Sequence, residues 1–82
     1  MSQTPTLRFK RLDVRPLLAR GEEPLPAIRE RVIALKPDEG LTVVAPFLPS
    51  PLIEFLRGEG FASRIEHGSA GEWVVSFWRD PV

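Results

Sequence analysis

Residues 37–45 read PDEGLTVVA, and this stretch decides the fold. Its first four residues favour a turn, because proline presets one backbone dihedral and glycine can take a positive φ. The next five residues are almost continuously apolar, which is typical of a strand buried among its neighbours. Because a helical pattern comes directly before it, we predict a central parallel strand covered by helices.

The segment before this strand predicts an amphipathic helix over residues 24–36. Pro24 and Pro26 are tolerated in the first turn, where the amides lack intrahelical partners, and Pro37 ends the helix. Four apolar residues recur at spacings of three, four and three, which places them on one helical face. They are Leu25, Ile28, Val32 and Leu35.

Nearer the start of the chain, residues 9–14 predict the first strand, with apolar side chains on one side of an extended backbone. Residues 16–21 are predicted to be a connecting loop, since Pro16 removes a ladder donor and the stretch has no clear period. The mostly polar residues 1–8 are predicted to be a flexible tail. Residues 9–82 would then form a single domain.

Beyond the central strand, proline and serine signals predict a second, short helix. Ser50 is its expected N-cap residue and Pro51 takes the first helical position. Gly58 or Gly60 can adopt the left-handed conformation that ends it. Its apolar side is supplied by Leu52, Ile53, Phe55 and Leu56.

Two alternating segments complete the chain, residues 61–67 and 72–79, and each predicts a strand. The short, glycine-flanked residues 68–71 between them favour a hairpin. The element order is therefore β-α-β-α-β-β. With right-handed crossovers, this order predicts an α+β two-layer sandwich, in which a mixed four-stranded sheet carries two helices on one face.

Composition narrows the classes of function. The 82 residues are 43% hydrophobic, with 11 basic and 11 acidic side chains and no cysteine. A chain of this size builds one small core, and without cysteine it has no disulfide, thiolate metal site or persulfide of its own. No nucleophilic triad, phosphate loop or metal-ligand cluster is present, so we expect no enzyme activity and no cofactor. No membrane or export segment is recognisable, and a cytoplasmic location is the default expectation.

Charge is divided unevenly along the chain. Residues 1–36 hold 8 basic and 4 acidic side chains (8 − 4 = +4), and residues 37–82 hold 3 and 7 (3 − 7 = −4). RNA binding would need the basic cluster in the first half, but a sequence pI near 6.6 favours a solvated strand and loop instead. The cluster consists of Arg8, Lys10, Arg11, Arg15 and Arg20.

Three short motifs in this order of elements carry a family resemblance. They read LDVR at residues 12–15, PLP at residues 24–26 and KPDEGL at residues 36–41. Together they resemble the TusA/SirA sulfur-carrier superfamily, in which a Cys-Pro-X-Pro motif opens the first helix and its cysteine carries a persulfide. Here that motif is Glu23-Pro24-Leu25-Pro26, so a carboxylate replaces the thiol and the usual sulfur transfer is excluded.

Further residues make the chain similar to an uncharacterised, cysteine-less branch of TusA-like domains. They are Asp13, Arg15 and Pro16, the phrase PFLPSPL at residues 46–52, Gly60-Phe61 and the terminal strand. Such domains tend to accompany hemerythrin-like or other redox modules in bacteria. The resemblance therefore implies a small binding or interaction module, with a link to bacterial redox or sulfur metabolism.

The resemblance also marks a candidate site, which we call the motif surface: Arg15, Arg20, Glu23, Pro24 and Pro26. Glu23 could act there as an acid, a base or a ligand. A glutamate at a helix start is also stabilised without any function, by roughly 0.3 to 1 kcal/mol, and this structural role is the favoured interpretation. The alternative is a catalytic or sulfur-relay accessory role, in which Glu23 and the two arginines polarise a small substrate.

Apolar residues outside the core suggest a partner surface of Val74, Trp78 and Phe47. Trp73 and Phe77 share one strand face and are expected to pack the helices, which leaves Trp78 on the other. Phe47, with Leu48, could be a core lid or a contact surface. A protein partner or self-association is the leading hypothesis, through the open sheet face or the loop from Arg15 to Glu23.

The lone histidine, His67, follows a strand and precedes a glycine loop. A single imidazole cannot build the multi-histidine sites that dominate zinc and iron chemistry. We therefore expect His67 to be a surface residue and not a metal ligand or a catalytic base.

Overall fold

A computed structural model describes residues 7–79. Its strands are β1 (Arg8–Asp13), β2 (Glu39–Ala45), β3 (Phe61–His67) and β4 (Trp73–Arg79), and its helices are α1 (Arg15–Ala19), α2 (Leu25–Ile33) and α3 (Ser50–Gly58). The sheet has the order β1-β2-β4-β3, with β1 parallel to β2 and β4 antiparallel to both of its neighbours. This confirms the predicted mixed four-stranded sheet and the α+β class.

The predicted central strand is β2, which lies between β1 and β4. Leu41, Val43 and Ala45 on one of its faces are almost fully buried, and Val44 on the other face is buried as well. Such burial on both faces explains why the stretch is nearly all apolar. The prediction that helices cover β2 holds for one face only.

The core lies between that face of the sheet and the helices. Its buried members come from β1 and the residue after it, from the three other strands, and from α2 and α3. They are Leu12, Val14, Ile28, Leu41, Val43, Ala45, Leu52, Ile53, Leu56, Phe61, Val75 and Phe77. The strand residues among them share one parity in the pairing register, so α2 and α3 pack on one face of the sheet, as predicted.

The loop predicted for residues 16–21 is wrong over most of its length, because Arg15–Ala19 form the short helix α1. Pro16 lies at the start of that helix, where its missing N–H has no intrahelical partner to lose. Leu17 and Leu18 are partly buried against the core, which holds the turn in place. The prediction treats Pro16 only as a residue that ends a strand, whereas in the structure it begins a helix.

The boundaries of the two longer helices also differ from the prediction. Helix α2 ends at Ile33, so Leu35 lies beyond it, and Leu25 is 39% exposed, which leaves the predicted apolar face only partly buried. In α3 the N-cap position belongs to Pro49, and Ser50 is already the first helical residue. Its N–H donates to the Leu48 carbonyl at 2.9 Å, which closes a tight turn around Pro49. The predicted Ser50 cap is therefore wrong by one position.

Glycine and glutamate fix the turns around the sheet. Gly60 takes a positive φ of 90° after α3, which selects it over the helical Gly58 as the stop. At the start of β2, the buried Glu39 carboxylate accepts a hydrogen bond from the Lys36 N–H at 2.9 Å. The predicted hairpin joins β3 to β4, with Gly71 at a φ of 85°.

The predicted N-terminal tail, residues 1–8, is described by the structure only at its last two residues. Arg8, the last residue of that tail, is the first residue of β1, and residues 1–6 lie outside the described residues. Within residues 7–79, no helix combines the length and apolarity needed to cross a bilayer.

Candidate functional site

A cavity of about 440 Å³ opens at the carboxyl ends of β1 and β2, where all three helices meet. Val14 follows β1 directly and Ala45 is the last residue of β2, so the ends of two parallel strands form its floor. This is the edge of an open sheet where ligands commonly bind. The lining residues are Val14, Leu18, Glu23, Pro24, Leu25, Ile28, Val43, Ala45, Phe47, Pro49, Pro51, Leu52 and Phe55.

The rim of the cavity is made by the proline-rich starts of two helices. Pro24 occupies the N-cap position of α2, and Pro49 occupies that of α3, with Pro51 in its first turn. Prolines preorganise these turns but bring no backbone N–H to the cavity. The rim is therefore rigid and poor in hydrogen-bond donors.

Glu23 is the one charged residue among those that line the cavity. It is exposed, and it forms no ion pair with another residue of the described chain. Its neighbour Glu22 differs, because Arg20 Nε lies 2.7 Å from Glu22 Oε2. That hydrogen bond lowers the pKa of Glu22 and raises the pKa of Arg20. The two adjacent glutamates therefore have different surroundings.

Arg15 is held away from the cavity by Asp13. Its Nη2 lies 2.7 Å from Asp13 Oδ2, its Nε lies 2.9 Å from Oδ1, and its backbone N–H also donates to Oδ1 at 3.0 Å. These hydrogen bonds to Arg15 lower the pKa of Asp13, and the same side-chain hydrogen bond raises the pKa of Arg15. The carboxylate thus fastens the start of α1 to the end of β1.

The structure therefore divides the predicted motif surface. Glu23 and Pro24 line the cavity, and Pro26 lines a neighbouring hollow of about 400 Å³ together with Glu23. Arg15 and Arg20 line neither space. The predicted grouping of Glu23 with Arg15 and Arg20 stays a prediction, and in the structure each guanidinium is bound to a carboxylate two residues away.

The predicted partner surface is divided as well. Val74 and Trp78 lie on the helix-free face of the sheet, as expected, and Phe47 lines the cavity. Trp78 meets Phe9 edge to face, with ring centroids 6.1 Å apart, across Gly40. Phe47 is 54% exposed, so it is a rim residue open to solvent and not a closed lid.

The remaining aromatic predictions are partly confirmed. Phe77 is fully buried in the core, but Trp73 is only half-buried and lies outside the core cluster. Its ring contacts His67 instead, with centroids 3.7 Å apart. His67 is exposed, as predicted, and no three metal-ligating side chains come together within residues 7–79.

The predicted basic cluster is largely neutralised by local carboxylates. Arg8 lies 3.3 Å from Asp38, and Lys10 lies 3.8 Å from Glu39. Arg15 and Arg20 are paired as described above. These ion pairs reduce the positive charge that a nucleic-acid backbone would need.

Most of the cavity was not predicted from the sequence. Its walls include Leu18 and Phe55, which lie far apart along the chain and were interpreted only as part of a loop and of a helix face. The signal available was the pair of proline-bracketed segments at residues 24–26 and 46–51, since two rigid helix starts at neighbouring strand ends leave room between them.

Comparisons with known proteins identify the family. Neither the curated proteins nor the solved structures give a significant match to the chain. A family model described as "Uncharacterized conserved protein (DUF2249)" matches residues 11–79. This match covers most of the 82 residues and nearly every element, from within β1 to the end of β4. The chain therefore belongs to the DUF2249 family of uncharacterised conserved proteins.

Proposed function

We propose that this protein is a small, non-enzymatic binding module and that the cavity beside Glu23 is its ligand site. The observation that carries the proposal is a cavity of about 440 Å³ with apolar walls and a single charged lining residue. Its volume is far above the roughly 30 Å³ that one water occupies and falls within the range of about 300 to 1,000 Å³ of small-molecule sites.

The lining residues support binding over catalysis. Apart from Glu23, the residues around the cavity are hydrocarbon side chains and prolines, which supply no nucleophile and no second acid or base. The two arginines that could have polarised a substrate are bound to Asp13 and Glu22. A covalent sulfur relay also lacks its sulfur, because the chain contains no cysteine.

The family resemblance supplies the setting of the proposal. Apart from the additional helix α1, the elements follow the order β-α-β-α-β-β, which supports a cysteine-less TusA-like domain. The position of the cavity beside Glu23, where sulfur carriers have their cysteine, supports it as well. We include in the proposal a cytoplasmic role linked to bacterial redox or sulfur metabolism. In that role the ancestral reaction site would have been kept as a pocket.

Binding of the neutral apolar dye Nile red tests the ligand site. The wild-type protein should give a saturable rise in dye fluorescence. Phe47→Ser should weaken the affinity by about three- to tenfold, because it removes apolar contact area from the rim. Ile65→Ser is the matched control, since Ile65 is similarly exposed, at 46%, but lies on β3 away from the cavity.

Two results would contradict this assignment. One is the absence of saturable dye binding by the folded wild-type protein. The other is an equal loss of affinity in the two variants, which would mean that the dye binds exposed apolar side chains in general.

A second candidate function is self-association or partner capture through the helix-free face of the sheet. It is favoured by Phe9, which is 44% exposed beside Trp78 on a face that no described helix covers. Trp78→Ala should shift a dimer or a complex towards monomer in sedimentation velocity while the circular dichroism spectrum is unchanged. A wild-type protein that remains monomeric and binds no partner through this face would reject it.

A further inference from the structure

We propose that the ligand of the cavity is a small amphiphilic cation, in which an amine is attached to an alkyl or aryl body. This inference rests on the proposed function and adds the chemical class of the ligand. Two features carry it: the Glu23 carboxylate, which has no ion-pair partner among the described residues, and the shortage of backbone N–H groups at the proline-rich helix starts.

The apolar part of the ligand is inferred from the side chains that line the cavity. Val14, Val43 and Ala45 form a buried floor, and Leu18 and Phe55 stand at the sides. These side chains offer contact and exclusion of water but no hydrogen bonds, so the part of the ligand within the cavity must be apolar.

The cationic group of the ligand is inferred from the carboxylate of Glu23. Among the described residues it has no ion-pair partner, although arginines are close in sequence on both sides. The nearest of these before it, Arg20, is held by Glu22 at 2.7 Å. The cavity therefore has one negative charge at its mouth and no positive charge among its lining residues. Arg29 shares the neighbouring hollow with Glu23, but its guanidinium lies over the Phe55 ring, 5.3 Å from the centroid, and forms no ion pair with Glu23. An amine at the mouth would provide the missing partner.

Anionic ligands are disfavoured by the same helix starts that would otherwise attract them. A helix N-terminus binds anions through free backbone N–H groups. Here Pro24, Pro26, Pro49 and Pro51 bring none. The Ser50 N–H is also occupied, by the Leu48 carbonyl. An anion would find few donors and would face Glu23 as well.

Three probes with one apolar body and different charges test the inference: 4-phenylbutylamine, 4-phenylbutanol and 4-phenylbutyrate. Each is titrated into the ¹⁵N-labelled protein and followed by backbone chemical shifts. We expect the amine to bind about two- to fivefold more tightly than the alcohol, as for an exposed ion pair, and the carboxylate to bind most weakly. The largest shifts should fall on residues that line the cavity.

Glu23→Gln should bring the affinity for the amine to that for the alcohol and leave the alcohol unchanged. Glu59→Gln is the matched control, because Glu59 is also exposed and without an ion pair among the described residues but does not line the cavity. The preference for the amine should also shrink in high salt, since Glu23 is exposed.

The outcomes separate this inference from the function on which it rests. If Nile red and the alcohol bind in the cavity but the amine has no advantage, or keeps it in Glu23→Gln, the cationic ligand is rejected and the binding module stands. If 4-phenylbutyrate binds as tightly as 4-phenylbutylamine, the cationic ligand is likewise rejected and the binding module stands. If neither the dye nor any probe shifts the cavity residues, both proposals fail.

Discussion

At the carboxyl ends of β1 and β2, apolar side chains surround a space, whereas on the helix-free face of the sheet they cover one another. The cavity is formed by residues from four elements and the segments between them, and Phe47 at its rim remains 54% exposed. On the helix-free face, Phe9 and Trp78 are in contact with each other, and Thr42 shares a hydrogen bond of 3.0 Å with Ser76.

The two regions differ in what their side chains contact. Those on the helix-free face contact neighbouring strands, whereas those around the cavity face an open space. On the helix-free face, the Phe9–Trp78 contact and the Thr42–Ser76 hydrogen bond join side chains of adjacent strands, although Phe9 remains 44% exposed. At the cavity, the apolar walls enclose open space, and the Glu23 carboxylate has no ion-pair partner among the described residues. We therefore expect the two regions to respond differently to substitution.

The largest expected effect contrasts two neighbours on β4 that face opposite sides of the sheet. Phe77→Ala should lower the free energy of unfolding by about 3 to 5 kcal/mol, because Phe77 is fully buried in the core. Trp78→Ala should cost no more than about half as much, since Trp78 is half-buried on the helix-free face. Urea denaturation measures both. Equal losses would show that the helix-free face is a second core.

Gly40→Ala should destabilise the protein by a steric clash on the helix-free face of the sheet. A Cβ at this position would come within 2.5 Å of the Phe9 ring and 2.7 Å of the Phe77 carbonyl oxygen, which is backbone and cannot turn away. We expect a loss of about 1 to 3 kcal/mol. Adding Phe9→Ala should recover only part of it.

Gly58→Ala is the control for that experiment. Gly58 is helical and an added Cβ would meet no atom within 4 Å, so a gain of about 0.5 to 1 kcal/mol is expected. A harmless Gly40→Ala would mean that β2 and β4 can move apart at this point. The helix-free face would then be less closely packed than the comparison requires.

The Thr42–Ser76 hydrogen bond tests whether polar groups on the helix-free face are satisfied across strands. Thr42→Val should cost about 0.5 to 1.5 kcal/mol, because it removes one partner of a part-buried pair. A double-mutant cycle with Ser76→Ala should give a coupling energy of similar size. Additive effects would indicate that water replaces the bond and that this pair contributes nothing.

The smallest effect concerns the Asp13–Arg15 pair, which fastens α1 beside the cavity. Because its pKa is lowered in the folded protein, Asp13 contributes stability above its unfolded pKa of about 3.9, and that contribution is lost as the pH falls through the folded value. The melting temperature of the wild type should fall more steeply below about pH 5 than that of Asp13→Asn. Arg15→Gln should flatten the profile in the same way. A profile unchanged by both variants would contradict the pairing.

Local signals predicted the sheet well. The apolar run at residues 41–45 and the glycine-flanked turn at residues 68–71 each depend on residues within a few positions, and both are found where expected. Helix α1 was not predicted, because a proline such as Pro16 can either end a strand or begin a helix. What decides between them is the burial of Leu17 and Leu18, which is a tertiary effect.

The candidate site was only partly predictable for a similar reason. The position of Glu23 before a Pro-X-Pro helix start could be inferred, but the walls of the cavity come from residues between 14 and 55 that only the fold brings together. The sequence also does not show that Arg15 and Arg20 are each bound by a carboxylate two residues away, which only the structure reveals.

The position of β4 in the sheet has a consequence for biosynthesis. β4 is the last described strand along the chain, yet it lies between β2 and β3. On the ribosome, β2 and β3 must therefore wait with unpaired edges until residues 73–79 have left the exit tunnel. Until then Val75 and Phe77 are missing from the core, so the domain cannot complete its folding before β4 has emerged.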